Sequence, residues 1–350
     1  MKIAIVSVTQ GEGHGAESVL VELMRGWVAS QTTDELLIIA PVHSRVLRLA
    51  EHLALPSIPF SARRDALTEN LRGLYRVRKQ FQHVDILHAW TARGFEFAGG
   101  FGRSNQSRIS GTLHDHPKAF FHGSFRQWMI RYHANHMHGL VCVSQAVKAA
   151  CEESGFRSPM QVIHNGLMDL PPATTPSSRV RIGFLGMKAR FKGFDLIRPW
   201  MEATVAAGAQ WHLYGEADPD LVQQLQGLPT DAYVLHGRKA SEEIYPDCDI
   251  IVHASDAFDS LPTVLIEAAR AGLPALASSL GGGPEIVRHG ETGFVFSPVD
   301  PGEGLTHLLD LIADPALRNQ MGQKARLHYS SDFGVDPMVT NYSAFWRSLV

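Results

Sequence analysis

Short apolar runs alternate with segments of helical periodicity along the whole chain, and this alternation constrains the fold most strongly. In the first half, the runs at 2–8, 35–42 and 85–90 have strand length, and apolar residues recur at helical spacing over 16–30. Strands separated by helices favour βαβ units and a parallel sheet covered by helices on both faces. Further strands of this half are predicted at 108–115, 140–144 and 161–166, and further helices at 44–54, 66–81, 125–137 and 145–154.

The alternation starts again after a Pro/Ser/Thr-rich stretch, MDLPPATTPSS at 168–178, which has no periodicity and is typical of a linker. We therefore predict an α/β chain of two Rossmann-like domains, and such a pair would face each other across a ligand cleft. The predicted boundaries are 1–170 for the first domain, 171–180 for the linker, 181–330 for the second domain and 331–350 for a C-terminal helix. Strands of the second domain are predicted at 181–186, 210–216, 233–238, 249–255, 274–279 and 293–297, with helices at 192–208 and 263–272 and a mostly helical tail from 316.

Composition excludes several classes of protein. The 350 residues carry a net charge of −3, which gives no general reason to bind nucleic acid. No apolar run approaches the roughly 18 residues of a membrane-spanning helix, and the N-terminus lacks the pattern of a signal peptide. The three cysteines have no paired spacing, so buried reduced thiols and a cytoplasmic location are expected.

A glycine-rich loop follows the first strand. Gly11, Gly13 and Ala16 satisfy the pattern G-x-G-x-x-G/A, and Gly15 lies between them before a helix. Such a loop lets a ligand approach the backbone and presents free N–H groups to an anion. A dinucleotide site also needs a carboxylate at the end of the second strand, and the run 40–43 has none. A plain tight turn and a turn that faces a substrate both remain open.

Three cations follow the first strand of the second half. Lys188, Arg190 and Lys192 lie between Gly186 and Gly193, immediately before a predicted helix. Cations at the mouth of a parallel sheet and beside a helix N-terminus suit a diphosphate. A solvated run of charge is the alternative interpretation.

A second cluster surrounds the predicted helix 263–272. Asp259 lies in the preceding loop and Glu267 lies one turn inside the helix, so both side chains could line one cleft. The N–H groups of Leu261, Thr263 and Val264 are candidates to meet phosphate oxygens. An N-capped helix with one exposed acid is the alternative. Glycine-rich turns follow at 281–293.

These residues resemble the retaining family 4 glycosyltransferases of the GT-B fold, also called glycosyl transferases group 1. The family motif G-R-L-x-x-x-K-G is similar to 186–193, and its E-G-F-P-N-V-x-x-E-A-M-A to DSLPTVLIEAARAG at 259–272. The motif G-G-x-x-E-x-[VI]-x-x-G-x-T-G is similar to GGGPEIVRHGETG at 281–293. The first half is more loosely similar, through 13–23, 85–90, 112–115 and 162–166.

The resemblance implies transfer of a sugar from a nucleoside-diphosphate sugar, UDP- or GDP-linked, to an acceptor hydroxyl, with retention and without a metal or other cofactor. Glu267 would accept hydrogen bonds from the ribose, Arg190 and Lys192 would stabilise the leaving diphosphate, and Asp259 would hold sugar hydroxyls. Gly13 and Gly15 would let the backbone approach the donor, and His114 would contact the sugar. Base recognition is expected near Gly215, Glu216 and Arg238. The C-terminal helix would return to the first domain, as it does in the family.

Two departures from the family pattern bear on activity. Asp259 replaces the first glutamate of the family's Glu-x7-Glu pair, and Met187 stands where the family has an arginine. A non-catalytic relative that binds a nucleotide or sugar therefore stays an alternative, and an NAD-dependent oxidoreductase is a weaker one. Eighteen histidines show no helix with a clear i, i+4 pair and a third ligand, so no metal site is expected.

Charge is uneven along the chain. Residues 60–131 carry 12 Lys and Arg against 5 Asp and Glu, and the stretch 118–131 adds five aromatic and sulfur-containing side chains. A basic, aromatic segment could lie on the anionic inner face of a membrane or bind a saccharide, lipid-linked or other small acceptor. Core packing of the aromatic residues is the alternative.

Overall fold

The computed structural model describes residues 1–8, 15–62, 67–101, 107–119, 124–172, 175, 177–187 and 190–350. It divides into two compact units, one formed by Met1–Met168 with Gly334–Val350 and the other by Asp169–Phe333. Within the described ranges, no helix is long and apolar enough to span a bilayer.

The first unit is built on a parallel sheet of seven strands in the order β3-β2-β1-β4-β5-β6-β7. Strand β1 lies inside the sheet and pairs with both neighbours, so Ile5 lies opposite Ile38 on one side and His88 on the other. The strands are β1 (Lys2–Val6), β2 (Glu35–Pro41), β3 (Ser57–Phe60), β4 (Ile86–Ala89), β5 (Arg108–Leu113), β6 (Gly139–Cys142) and β7 (Met160–Val162). The helices are α1 (Gly15–Ala29), α2 (Arg45–His52), α3 (Leu67–Val77), α4 (Phe95–Phe101), α5 (Ser124–Ala134), α6 (Gln145–Glu153) and the C-terminal α15 (Val335–Leu349).

Helix α15 packs against α1 within this unit. Trp346 is fully buried and meets Trp27 edge to face at 5.6 Å between ring centroids. Gly26 faces Val335 and Val339 so closely that a Cβ at this position would collide with them. The last helix of the chain thus completes the core of the first sheet.

The second unit has a parallel sheet of six strands in the order β10-β9-β8-β11-β12-β13. Its strands are β8 (Val180–Leu185), β9 (Ala209–Tyr214), β10 (Tyr233–Gly237), β11 (Ile250–His253), β12 (Ala275–Ser278) and β13 (Gly293–Phe296). Its helices are α7 (Phe194–Ile197), α8 (Trp200–Ala206), α9 (Pro219–Gln224), α10 (Ser241–Ile244), α11 (Thr263–Arg270), α12 (Gly283–Ile286), α13 (Pro301–Ala313) and α14 (Pro315–His328).

The sequence predicted the type of most elements, with two informative differences. The helix expected over 192–208 is divided into α7 and α8 around Pro199, because a proline inside a helix removes one hydrogen bond and clashes with the preceding turn. Strand β3 was not predicted: it is a four-residue edge strand containing Pro59, and proline is tolerated at sheet edges.

Candidate functional site

Three loops of the second unit, which follow β8, β11 and β12, meet at one edge of its sheet, and we call them the loop cluster. Strands β8, β11 and β12 are neighbours, so their carboxyl ends, and the loops that follow them, lie side by side. The carbonyl of Phe191, after β8, accepts from the Ser255 hydroxyl at 2.8 Å and from the Asp256 N–H at 3.1 Å. The carbonyl of Asp259, after β11, accepts from the Gly282 N–H after β12 at 2.8 Å. This edge is where open α/β sheets bind ligands.

Two glycines make this close approach of loops sterically feasible. Gly193 has φ +82°, and a Cβ here would collide with the Ala254 carbonyl. Gly281 has φ +77°, and a Cβ here would collide with the backbone of Asp259. Both conformations lie in the left-handed region that favours glycine, so these motif glycines are required by the loops themselves.

Lys192 and Asp259 form an ion pair at this edge. The Lys192 ammonium lies 2.8 Å from Asp259 Oδ2, and the His253 imidazole lies 3.1 Å from the same oxygen. Burial alone would raise the pKa of Asp259, but the hydrogen bond with His253 and the charge of Lys192 outweigh it and hold that pKa well below its usual value. Asp259 is therefore an anion over the whole neutral range.

His253 was missed by the sequence analysis. It is the last residue of β11 and is almost fully buried beneath the loop that carries Asp259. A single histidine ending an apolar strand gives no functional signal until the fold shows which loop folds over it.

The other expected cations have different surroundings. Arg190 is more than half exposed and pairs with Asp220 of α9 at 3.1 Å. Met187, at the position of the family's arginine, is completely buried in the core of the second unit. Lys188 lies outside the described residues. Lys192 is thus the cation that the structure places in the loop cluster, and the role of Arg190 stays a prediction.

Glu267 lines a pocket of about 210 Å³ between α10, α11 and the first residues of the unit. The Tyr245 hydroxyl lies 2.5 Å from Glu267 Oε2. Burial raises the pKa of Glu267, partly offset by hydrogen bonds from Tyr245 and Ser241 and by the charge of Arg270. The lining residues are Leu170, Pro171, Ser241, Glu242, Tyr245, Pro246, Glu267, Arg270 and Ala271.

The remaining expected donor-binding residues surround the same edge. Leu261 is buried before α11, and Thr263 and Val264 form its first turn, where N–H groups have no partner within the helix. The Gly215 N–H donates to the Gly237 carbonyl at 2.8 Å, which ties the ends of β9 and β10 together. The neighbouring residues Glu216 and Arg238 are exposed.

The first unit has its own cluster at the carboxyl edge of its sheet. Trp90, after β4, donates from its indole N–H to the Ala16 carbonyl at the start of α1, at 2.6 Å. His114, after β5, lies 5.0 Å from Trp90 between ring centroids, and its Nε2 is buried without a hydrogen-bond partner. Burial lowers the pKa of His114 to about 4, so the imidazole is neutral near pH 7. A Cβ at Gly15 would meet nothing within 4 Å; Gly13 lies outside the described residues.

Among the residues that the structure describes, no three His, Cys, Asp or Glu side chains are grouped so that they could hold a metal ion.

Two family models match the chain, one on each half. Residues 13–168 match Glycosyltransferase Family 4, and residues 179–314 match Glycosyl transferases group 1. The two matches cover most of the chain and fall on its two structural units. The chain belongs to this glycosyltransferase family. The family that the sequence motifs predicted is thereby confirmed, and retention of configuration stays a prediction.

The curated relatives align over less than half of the chain. Sulfoquinovosyl transferase SQD2 of Arabidopsis thaliana is 29% identical over 153 residues, which are 42% of this chain and 29% of that protein. N-acetyl-alpha-D-glucosaminyl L-malate synthase of Bacillus anthracis is 24% identical over 160 residues, which are 45% of this chain and 42% of that protein. The alignments thus span less than half of each relative.

Solved structures match over the whole length. The Anabaena protein Alr3699/HepE, in complex with UDP and glucose, has a TM-score of 0.82 at 21% identity and covers 99% of this chain and 100% of its own. Sucrose-phosphate synthase from Thermosynechococcus elongatus has a TM-score of 0.76 at 17% identity, covering 99% and 98%. At this identity the likeness shows the fold, and it confirms the predicted GT-B class.

Proposed function

We propose that this protein transfers a sugar from a nucleoside-diphosphate sugar to an acceptor hydroxyl. The observation that carries the proposal is the loop cluster of the second unit, where Lys192 pairs with the partly buried anion Asp259 at the edge of the sheet. A cation held beside a helix N-terminus can stabilise the charge that develops on a departing diphosphate. The UDP present in the matched HepE structure supports a nucleotide donor.

The chemistry we propose is retaining transfer by front-face attack. The bond from the sugar's anomeric carbon to the diphosphate oxygen breaks, and the bond to the acceptor oxygen forms on the same face. The acceptor's proton passes to the departing phosphate oxygen. Lys192 stabilises that oxygen's charge, so no carboxylate nucleophile of the glycosidase kind and no metal is assigned.

Glu267 provides the second part of the donor site in this proposal. A partly buried carboxylate at a pocket wall is a suitable acceptor for two vicinal ribose hydroxyls. His114, neutral at pH 7 and with an unpaired Nε2, is proposed to contact a sugar hydroxyl. The open space beside Gly15 suits close approach of a ligand to the backbone.

A donor panel tests the function. The protein is incubated with UDP-, GDP- and ADP-sugars and with NAD, and binding is read as a shift in melting temperature. Released nucleoside diphosphate is then measured, and products are identified by mass and by the configuration of the new bond. A sugar nucleotide that stabilises the protein and is turned over supports sugar transfer. Stabilisation without turnover over a broad set of acceptors supports the non-catalytic alternative. A response to NAD alone contradicts both sugar transfer and sugar-nucleotide binding.

Tyr245→Phe should raise the KM for the donor by about tenfold and change kcat little, because it removes one hydrogen bond to a charged group. The tyrosine also lowers the pKa of Glu267, so in the variant this pKa rises further. The loss of donor affinity on acidification should therefore begin at a higher pH than in the native protein. Tyr233→Phe, on β10, is the matched control. An unchanged KM and pH profile would contradict the role of Tyr245.

A further inference from the structure

Helix α5 carries a row of exposed aromatic rings in the first unit. Phe125, Trp128 and Tyr132 are 71%, 49% and 40% exposed. Their spacing of three and four residues places them on one face of the helix. The ring centroids of Phe125 and Trp128 are 6.0 Å apart, and those of Trp128 and Tyr132 are 5.4 Å apart, each pair inclined by 22°. We call these three residues the aromatic row.

The aromatic row is not needed for the core of the unit. The opposite face of α5 carries Ile130 and Ala134, which are buried, and the helix packs against α4. Large aromatic side chains exposed in a continuous row usually mark an interaction surface. Trp and Tyr in particular favour the headgroup region of a bilayer, because each combines an apolar ring with a polar atom.

Along the stretch of sequence that carries the row, the charge is of one sign. Between Asp115 and Glu152 the sequence contains no Asp or Glu, whereas it contains Lys118, Arg126 and Arg131. Arg126 lies 3.7 Å from the buried Glu96 of α4, so part of its charge is balanced inside the unit. Lys118 and Arg131 are both exposed. The stretch between Asp115 and Glu152 is therefore complementary in charge to an anionic partner, whereas Glu153, at the end of α6, lies close enough to act on the charge of His116 beside it.

A small pocket lies beside the row. It has a volume of about 60 Å³ and is lined by Lys118, Gln127 and Arg131 together with Ser154 and apolar residues. That volume is roughly two water molecules, which is the scale of a phosphate group rather than of a whole lipid. Arg131 donates to the Ser154 carbonyl at 3.1 Å, and a guanidinium has further N–H groups for a second acceptor.

We propose that this face of α5 docks on the surface of an anionic lipid bilayer. The aromatic row enters the headgroup region, and Lys118 with Arg131 binds a lipid phosphate at the adjacent pocket. One aromatic row alone would give weak attachment, whereas apolar insertion combined with cations gives a reversible peripheral contact. The inference does not depend on the proposed sugar transfer, since binding is measured without a donor.

Vesicle sedimentation of the full chain tests the proposal. We expect binding to vesicles of phosphatidylcholine with phosphatidylglycerol, little binding to phosphatidylcholine alone, and loss of binding as salt screens the charges. The Phe125→Ala, Trp128→Ala double variant should bind at least about tenfold more weakly, because it removes the inserted rings. Lys118→Gln with Arg131→Gln should weaken binding by roughly thirtyfold at low salt, at about 1 kcal/mol for each charge.

Matched controls lie in the second unit. Leu327→Ala removes a side chain that is 71% exposed, and Lys324→Gln removes an exposed cation. Neither should alter vesicle binding, and all variants should keep the native melting temperature. Absence of native binding at low salt, or equal binding by the row variants, would overturn the proposal. The proposal would also be overturned if gel filtration showed a dimer that the row variant does not form, while the native protein did not bind vesicles. The aromatic row would then bind a second copy of this chain and not a bilayer.

Discussion

Lys192→Ala is expected to lower the kcat for sugar transfer by about 10² or more. The side chain is the cation that the described structure places in the loop cluster of the second unit, 2.8 Å from Asp259. Removing one preorganised group that stabilises developing charge typically costs this much, because water replaces it poorly. The measurement is the initial rate of nucleoside-diphosphate release at saturating donor.

A structural role for Lys192 would give a different pattern. If Lys192 only neutralised the charge of Asp259, this cation would no longer be needed in Asp259→Asn. Turnover by the double variant would then be no slower than turnover by either single variant. If Lys192 acts on the diphosphate, Lys192→Ala should remain damaging in the Asp259→Asn background. Lys239→Ala, which breaks an exposed ion pair with Glu243 elsewhere in the unit, is the control. Native turnover in Lys192→Ala would remove this residue from the mechanism.

Glu267→Gln is expected to weaken binding of the nucleoside diphosphate by about 10². A carboxylate that accepts two hydroxyl hydrogen bonds loses both charge-assisted bonds when it becomes an amide, and each contributes about 1.5–3 kcal/mol, not fully additively. Calorimetric affinity checks the effect. The control is Glu202→Gln, which breaks an exposed ion pair between Glu202 of α8 and Arg198. Unchanged affinity in Glu267→Gln would contradict the assignment of Glu267 to the ribose.

The pH dependence of binding has a definite sign. Burial raises the pKa of Glu267 above its ordinary value, so its carboxylate becomes protonated on acidification before an exposed glutamate would. Donor affinity should therefore fall as pH decreases through that pKa and recover above it. Asp259 does not contribute in this range, because its pKa is held below the ordinary value and it stays charged.

The sequence predicted the sheets well and the side-chain contacts poorly. Buried strands such as β1 and β11 are short apolar runs, which can be recognised in the sequence without knowledge of the tertiary structure. The meeting of Lys192 with Asp259 follows from parallel strands ending at one edge, which topology predicts. The pairing of Arg190 with Asp220 could not be predicted, because α9 itself has too little periodicity to be recognised.

Two contacts of the candidate site can be recognised only in the folded structure. His253 is separated from Asp259 by a loop, and Tyr245 from Glu267 by a strand, so neither pair has a sequence spacing that indicates contact. Met187 shows the reverse case. Its departure from the family motif was visible in the sequence, but only the structure shows that the side chain is buried in the core of the second unit.

Calorimetric titration of the nucleoside and its diphosphate, for the base selected by the donor panel, distinguishes the two parts of the proposed donor site. We expect Lys192→Ala to weaken binding of the diphosphate while leaving that of the nucleoside unchanged, and we expect Glu267→Gln to weaken both. Equal loss of both ligands in Lys192→Ala, or native affinity in both variants, would contradict a donor site built from the loop cluster and the Glu267 pocket.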